Sequence, residues 1–187
     1  SFLRECLGKK DGDDHAQEER TTPGKGGGIH PQYLAETISR LAASDAVFTA
    51  DAGSPMVWCL RHVRSTGSNR TVISLSHGTM ANAMPQALGA KAAYPDRQVI
   101  SLSGDGGLSM MLGDLLTAVQ EKLPIKIAVF NNSSLNFVEI EQKVEGLLDA
   151  YTNLVNPDFS RVAEAIGFWG RRVETADAVE DAVIAWL

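Results

Sequence analysis

The stretch that decides the fold is residues 98–137, QVISLSGDGGLSMMLGDLLTAVQEKLPIKIAVFNNSSLNF. It opens with an apolar, β-branched run at residues 98–103 that stops at a glycine turn, a pattern that predicts a buried strand. Residues 110–120 place apolar side chains at helical spacing, and Lys122 and Pro124 end this helix. A second apolar run at residues 125–130 ends at Asn131-Asn132. The apolar positions of the predicted helix are Met111, Leu112, Leu115, Leu116 and Val119.

A side chain with a metal-binding oxygen follows each of these two strands. Asp105 lies in the glycine turn after the first strand, and Asn132 lies just past the second. Crossovers between parallel neighbours are right-handed in nearly all cases, so both strand ends should open on the same edge of the sheet. Ligands of open α/β sheets bind at that carboxyl edge. We therefore expect Asp105 and Asn132 to lie close together although they are 27 positions apart.

The chemistry that this arrangement favours is a hard cation that holds a diphosphate. Mg²⁺ takes oxygen ligands, usually one or two from the protein and the rest from phosphates and water. Gly104, Gly106 and Gly107 let the backbone approach an anion closely and direct N–H groups at it. Taken singly, Gly-Asp-Gly is an ordinary turn and Asn-Asn an ordinary strand end. Their joint occurrence at two strand ends with one helix between them favours the metal site.

The rest of the chain alternates helix and strand, which predicts a doubly wound, mostly parallel α/β sheet with helices on both faces. Predicted helices cover residues 31–42, 55–64, 82–94, 138–150, 157–166 and 177–187. Further predicted strands cover residues 46–50, 71–75 and 171–173. Two more loops, residues 51–54 and 76–80, therefore follow strands at the same edge. Both residues of interest lie in the second of these loops. Without the neighbouring metal motif, His77 would be interpreted as a surface turn residue and Met80 as a core residue.

Composition limits the classes of function. The chain has 187 residues, a net charge of −6 and two cysteines, Cys6 and Cys59. The acidic balance argues against nucleic acid as the main partner. Two cysteines are too few for a disulfide framework, and neither has a second ligand at zinc spacing. Without an apolar run of about 18 residues or a signal peptide's apolar core, we expect a cytoplasmic protein. The one membrane contact that we consider is through segments that lie outside this chain.

The residues above resemble the thiamine diphosphate motif, in which Gly-Asp-Gly is followed some 25 to 30 residues later by Asn-Asn. Gly104-Asp105-Gly106 and Asn131-Asn132 match it, including the spacing. The resemblance implies that Asp105, the Asn132 side chain and the backbone carbonyl of Ser134 bind Mg²⁺. Asn136 departs from the glycine that is common just after the metal loop, and Asn tolerates positive φ better than most residues.

Further segments resemble one branch of these enzymes, pyruvate oxidase and pyruvate:quinone oxidoreductase. They are residues 29–35, residues 77–90 and residues 156–173. The resemblance implies that Met80 bends the cofactor from below and that the Gly78 carbonyl accepts a hydrogen bond from its amino group. It also implies that Phe137 and Glu141 line the substrate pocket. Glu139 is two positions from Glu141, which puts it on a different face of the helix. A solvated charged face is the plain alternative for both glutamates. The implied diphosphate-binding residues are Gly53, Ser54, Gly104, Gly106, Gly107 and Leu135.

The resemblance implies oxidative decarboxylation of pyruvate, with electrons passing to FAD and then to a quinone or O₂. The glutamate that activates the cofactor and most of the FAD site belong to other domains in this branch, so we expect the chain alone to be inactive. Assembly as a homodimer or homotetramer is expected through those domains. An acetolactate synthase or another 2-oxoacid decarboxylase is the alternative, because it shares the metal motif. A noncatalytic nucleotide- or anion-binding domain lacks support, since no dinucleotide or P-loop glycine pattern occurs.

The sequence at both ends predicts that this chain is one domain of a longer protein. Residues 1–28 read as the end of a preceding domain followed by a linker, because residues 11–28 are rich in charge and glycine. Residues 29–187 form the predicted cofactor domain. Its last predicted helix stops at Trp186-Leu187 without a following strand, so we expect truncation there too.

Overall fold

The computed structural model describes residues 28–187, which form one parallel sheet with helices on both faces. The strands are β1 (Val47–Ala50), β2 (Arg70–Ile73), β3 (Val99–Gly104) and β4 (Lys126–Phe130). The helices are α1 (Pro31–Leu41), α2 (Ser54–His62), α3 (Ala83–Ala93), α4 (Asp105–Met110), α5 (Leu115–Gln120), α6 (Asn136–Val144), α7 (Phe159–Ala165) and α8 (Val179–Trp186). Short 3₁₀ turns at Leu112–Asp114 and Ala176–Ala178 precede α5 and α8.

The strand order is β2-β1-β3-β4, and every pairing is parallel. In the centre of the sheet, Val47 pairs with Val99 and Ala50 with Leu102. All four strands therefore end at one edge, as the sequence predicts. β1 is buried along its whole length and β3 up to Ser103, which fits their short apolar runs. The predicted α/β class is confirmed.

Two apolar clusters hold helices on the two faces. On one face, Phe48, Ile100 and Leu102 of the sheet pack with Ile38 of α1 and Val179 of α8. On the other face, Val47 and Val99 pack with side chains of α3, α4 and α5, namely Met84, Leu108 and Leu115. Successive side chains of each central strand thus point to opposite faces of the sheet. The sheet is fixed from both sides, which gives its carboxyl edge a rigid base.

The prediction of a single helix over residues 110–120 is wrong. The first helix begins at Asp105, directly after β3, and ends at Met110. Met111 then has φ −119°, outside the helical range, and a 3₁₀ turn leads into the separate helix α5. Of the predicted apolar stripe, Leu115 is buried, whereas Leu116 and Val119 are exposed. Gly113 lies in this run, and glycine weakens a continuous helix.

The predicted strand at residues 171–173 is also wrong. This segment pairs with no strand in the described part of the chain, and β4 pairs only with β3 there. The chain is instead held against the first turn of α7, since a Cβ on Gly170 would lie 2.2 Å from the Ser160 carbonyl oxygen. Arg172 pairs with Glu174 at 2.8 Å on the surface.

Other predicted bounds differ by a few residues, and the helix expected to reach residue 150 ends at Val144. The predicted preceding domain and linker at residues 1–28 lie, except for residue 28, outside the described residues. Among residues 28–187, no helix has the length and apolar character that crossing a bilayer requires.

Candidate functional site

Four loops meet at the carboxyl edge of the sheet, one after each strand. The loop after β1 contacts the loop after β2 through a hydrogen bond from Ala52 N to the Thr79 carbonyl, at 3.3 Å. The loop after β4 reaches the start of α4 through Ser133 N, which donates to Asp105 Oδ2 at 2.7 Å. The edge predicted from the sequence is therefore one continuous surface.

Asp105 lies at the centre of that surface, with its side chain only 3% exposed. Oδ1 accepts a hydrogen bond from Gly106 N at 2.9 Å. Oδ2 accepts from Ser133 N and from Asn156 Nδ2, both at 2.7 Å. A buried carboxylate is stable when such donors surround it. Three donors thus fix its orientation, and two of them come from loops far away in the sequence.

The loop after β4 has the geometry of a tight turn. Asn132 Oδ1 accepts from Ser134 N at 3.1 Å, an Asx turn, and Ser133 takes φ +56°. Leu135 N donates to the Thr152 carbonyl at 2.8 Å, and Leu154 N donates to the Ser133 carbonyl at 2.9 Å. These bonds flank the Ser134–Asn153 bridge, and no backbone N–H within residues 28–187 donates to the Ser134 carbonyl. The Ser134 carbonyl therefore has no backbone competitor there, whereas the exposed Asn132 oxygen is shared with Ser134 N.

Glu139 takes part in this loop, against the expectation of a solvated charge. Its Oε2 accepts from Ser134 Oγ at 2.9 Å, and its Oε1 pairs with Lys143 one helical turn later. Hydrogen bonds from Lys143 and Ser134 lower the pKa of Glu139. Glu139 thus anchors the first turn of α6 to the loop after β4.

The two glycines after Asp105 lie in close contact with neighbouring side chains. A Cβ on Gly106 would lie 2.9 Å from Leu135 Cδ2, 3.3 Å from Leu154 Cδ1 and 3.5 Å from Met80 Cε. A Cβ on Gly107 would lie 2.3 Å from Asp51 Oδ2. The structure therefore brings Met80 and Leu135 together over Gly106, beside Asp105.

The remaining predicted residues lie around this centre. Gly53, at φ +123°, precedes Ser54 at the start of α2, and Gly78 has φ +57° in the turn after β2. Pro55 packs on Gly104, with 3.6 Å from its Cγ to the position of a Cβ there. The predicted pocket residues Phe137 and Glu141 lie exposed on α6. Within residues 28–187, the Glu141 side chain forms no hydrogen bond or ion pair. The cofactor and pocket roles of all these residues stay predictions.

The oxygen donors at this edge fit a small hard cation. A carboxylate accepts at about four lone-pair sites. Asp105 uses three of them, which leaves one on Oδ1. Asn132 and the Ser134 carbonyl add neutral oxygens, the ligands that Mg²⁺ takes alongside a carboxylate. No group of three or more His, Cys, Asp or Glu side chains in the described part of the chain could hold a metal. A site here thus depends on one carboxylate with amide and carbonyl oxygens.

Sequence analysis missed two residues of this edge, Asp51 and Asn156. Asp51 follows β1 and is buried, with Oδ1 accepting from Ala83 N at 2.9 Å and Oδ2 from Gly104 N at 3.0 Å. Burial raises its pKa, and backbone N–H donors oppose that rise. The sequence feature that could have identified Asp51 is its place as an acidic residue directly after an apolar strand. Asn156 lies 51 positions from Asp105, and no spacing rule connects the two.

Comparison with known proteins gives this site a context. Residues 51–187 match the family model described as thiamine pyrophosphate enzyme, C-terminal TPP binding domain. The chain is 38% identical to YdaP of Bacillus subtilis over 89% of its length and 34% identical to pyruvate oxidase of Lactiplantibacillus plantarum over 83%. It is 33% identical to an acetolactate synthase of Mycobacterium bovis over 86%.

A solved structure shares the fold. The thiamine diphosphate-dependent 4-hydroxybenzoylformate decarboxylase of Rhodococcus jostii superposes with a TM-score of 0.75, at 27% identity over 87% of this chain and 31% of that one. The chain spans 28% of YdaP, 26% of the pyruvate oxidase and 27% of the acetolactate synthase. The family match covers well over half of the chain. This chain belongs to the thiamine pyrophosphate enzymes and carries their C-terminal cofactor-binding domain.

Proposed function

We propose that this domain serves an enzyme that oxidatively decarboxylates pyruvate, with electrons passing to FAD and then to a quinone or O₂. The observation that carries the proposal is the buried Asp105 carboxylate, onto which the loop after β4 is hydrogen-bonded. This arrangement fits Mg²⁺ and a diphosphate. The similarity to a pyruvate oxidase supports pyruvate as the substrate.

The chain's own residues position the cofactor in this proposal. Asp105, Asn132 and the Ser134 carbonyl bind Mg²⁺, which in turn holds the diphosphate. Met80 lies beside Gly106, where a bulky side chain can support the ring system from below. When bound, thiamine diphosphate supplies the electron sink that lets a 2-oxoacid lose CO₂. FAD and the group that activates the cofactor are assigned to other parts of a longer protein.

An acetolactate synthase is the second candidate, because the identity to one from Mycobacterium bovis is nearly as high. The two reactions differ in their electron balance. Oxidation converts pyruvate and water to acetate and CO₂ and releases two electrons with two protons. Acetolactate formation joins two pyruvate molecules with loss of one CO₂ and releases no electrons. The full-length enzyme should therefore reduce an artificial electron acceptor in step with pyruvate consumption. Acetolactate formation without dye reduction would establish the second candidate.

The metal role is tested by Asp105→Ala in the full-length enzyme. The change removes the one carboxylate at the site, so Mg²⁺-dependent binding of thiamine diphosphate should be mostly lost in a calorimetric titration. Asp181→Ala is the matched control, because Asp181 is exposed on α8 and forms no ion pair within residues 28–187. Wild-type affinity in Asp105→Ala would remove Asp105 from the metal site.

The working state in this proposal is a cytoplasmic homodimer or homotetramer that assembles through domains outside this chain. Size-exclusion chromatography with light scattering on the full-length enzyme measures this assembly.

A further inference from the structure

Asn156 connects Asp105 to the loop after β4 (residues 131–135, called the metal loop from here on) through one amide group. Its Nδ2 donates to Asp105 Oδ2 at 2.7 Å and to Asn131 Oδ1 at 2.9 Å. Each hydrogen of the amide thus has its own acceptor, one on the buried carboxylate and one on the loop after β4. The amide group therefore joins the end of β3 to the end of β4 without belonging to either loop.

The backbone on both sides of Asn156 is fixed, so the amide is presented in a defined place. Before it, residues 152 and 154 are hydrogen-bonded to the metal loop, and Thr152 is 1% exposed. After it, Pro157 restricts the preceding residue to extended conformations. Asp158 then caps α7, with Oδ1 accepting from Ser160 N at 3.0 Å. A side chain held between two anchored segments loses little freedom when it binds its partners.

The hydrogen bonds that the two Asp105 oxygens accept show what the contact with Asn156 does. Asn156 and Ser133 N together use Oδ2, and only Gly106 N reaches Oδ1. If the Asn156 amide were absent, each oxygen would keep a single backbone donor and one open acceptor site, so the plane of the carboxylate would be held less firmly. With the amide present, Oδ1 is the oxygen that keeps an open acceptor site.

We propose that Asn156 is a positioning residue for the metal site: it locks the Asp105 carboxylate with Oδ1 directed to the cation, and it holds Asn131 and the metal loop in register with that carboxylate. This inference rests on the proposed Mg²⁺ site. Asn156 acts through Asp105 and Asn131 and is not itself a ligand. Partners that orient metal ligands from outside typically contribute about 10- to 100-fold to metal affinity.

The experiment titrates Mg²⁺ into the full-length enzyme with saturating thiamine diphosphate, by calorimetry, and also records the melting temperature without metal. Asn156→Ala removes the amide, and Asn156→Leu removes it while keeping the number and branching of the side-chain heavy atoms. Asn153→Ala is the matched control, because Asn153 is exposed in the same segment and its side chain makes no hydrogen bond within residues 28–187. We expect Mg²⁺ affinity to fall about 10- to 100-fold in both Asn156 variants and to stay unchanged in Asn153→Ala.

The outcomes separate this inference from the proposed function. A role limited to anchoring the segment predicts lower melting temperatures with unchanged Mg²⁺ affinity, and that result would overturn the positioning role. If Asp105→Ala loses Mg²⁺ binding and both folded Asn156 variants keep it, the metal site stands and only this inference fails. If Asp105→Ala binds Mg²⁺ like the wild type, the metal site and this inference fail together.

Discussion

Gly107→Ala tests the packing of the site most directly, because it adds one methyl group to a helix. The new Cβ would lie 2.3 Å from Asp51 Oδ2, 2.8 Å from Asp51 Cγ and 3.1 Å from Ala81 N. An ordinary contact between non-bonded carbon atoms is about 3.5–4.0 Å, so the shortfall is roughly 1 Å. Asp51 cannot yield freely, because Gly104 N and Ala83 N hold its two oxygens.

The cost follows from the contacts that must break. Overpacking of a buried site costs about 1–3 kcal/mol. A 1 Å shift of Oδ2 also loses the bond from Gly104 N, and a buried donor without a partner costs about 1–3 kcal/mol. Alanine gains about 0.5–1 kcal/mol over glycine in a helix. The net loss in unfolding free energy is therefore about 1–5.5 kcal/mol, a large share of the roughly 5–15 kcal/mol of a typical protein.

Urea denaturation of Gly107→Ala, followed by circular dichroism, measures this loss. Gly89→Ala is the matched control, because Gly89 lies within α3 and nothing lies within 4 Å of a Cβ there. The control should gain about 0.5–1 kcal/mol from helix propensity. If Gly107→Ala matches the stability of Gly89→Ala, the close approach of Asp51 does not exist in solution and the reasoning is refuted.

Two further predictions concern Asp51 and Met80. Because burial raises the pKa of Asp51 above its ordinary 3.8, the folded state holds this proton more tightly. The contribution of Asp51 to the free energy of unfolding is then greatest at pH values below its ordinary pKa. It declines as the pH rises through the raised pKa of the folded state. Unfolding free energies of Asp51→Asn should lack this decline, and parallel pH profiles of the two proteins would contradict it. Under the proposed function, Met80→Leu, with similar volume, should keep most of the full-length enzyme's pyruvate turnover at saturating cofactor. Met80→Ala should lose up to about 10²-fold in rate, because small displacements of reacting groups are costly; equal turnover in both variants would exclude the supporting role.

The central strands and the meeting of Asp105 with the loop after β4 could be predicted from the sequence. β1 and β3 are short, apolar and β-branched, and such runs have few other ways to bury their side chains. Parallel topology then leaves little choice about where their ends lie. The 27-residue separation of Asp105 and Asn132 is thus spanned by one crossover, and Ser133 N on Asp105 Oδ2 is its result.

Contacts that depend on the three-dimensional packing of distant loops could not be predicted. Residues 110–120 have a helical pattern, yet the chain starts its helix at Asp105 because two glycines allow α4 to pack directly on Asp51 and Leu135. Residues 171–173 have a strand pattern, but they follow a close contact of Gly170 with Ser160 and pair with no strand in the described part of the chain. Asn156 reaches Asp105 from a segment whose residues 152–154 pair with the loop after β4. None of these contacts leaves a periodic signal in the sequence.

The two aspartates at the edge show why local sequence does not assign a ligand. Asp51 and Asp105 both follow buried central strands, so their sequence contexts are nearly the same. Asp51 accepts hydrogen bonds from backbone groups of α3 and β3, and Gly107 closes the space beside it. Asp105 instead accepts two of its three bonds from loops, one of them from a side chain, next to the exposed Asn132. The space beside Asp51 is closed by Gly107, whereas Asp105 keeps one acceptor site next to an exposed loop and can bind a cation there. The difference lies in what surrounds each carboxylate, and only the fold determines those surroundings.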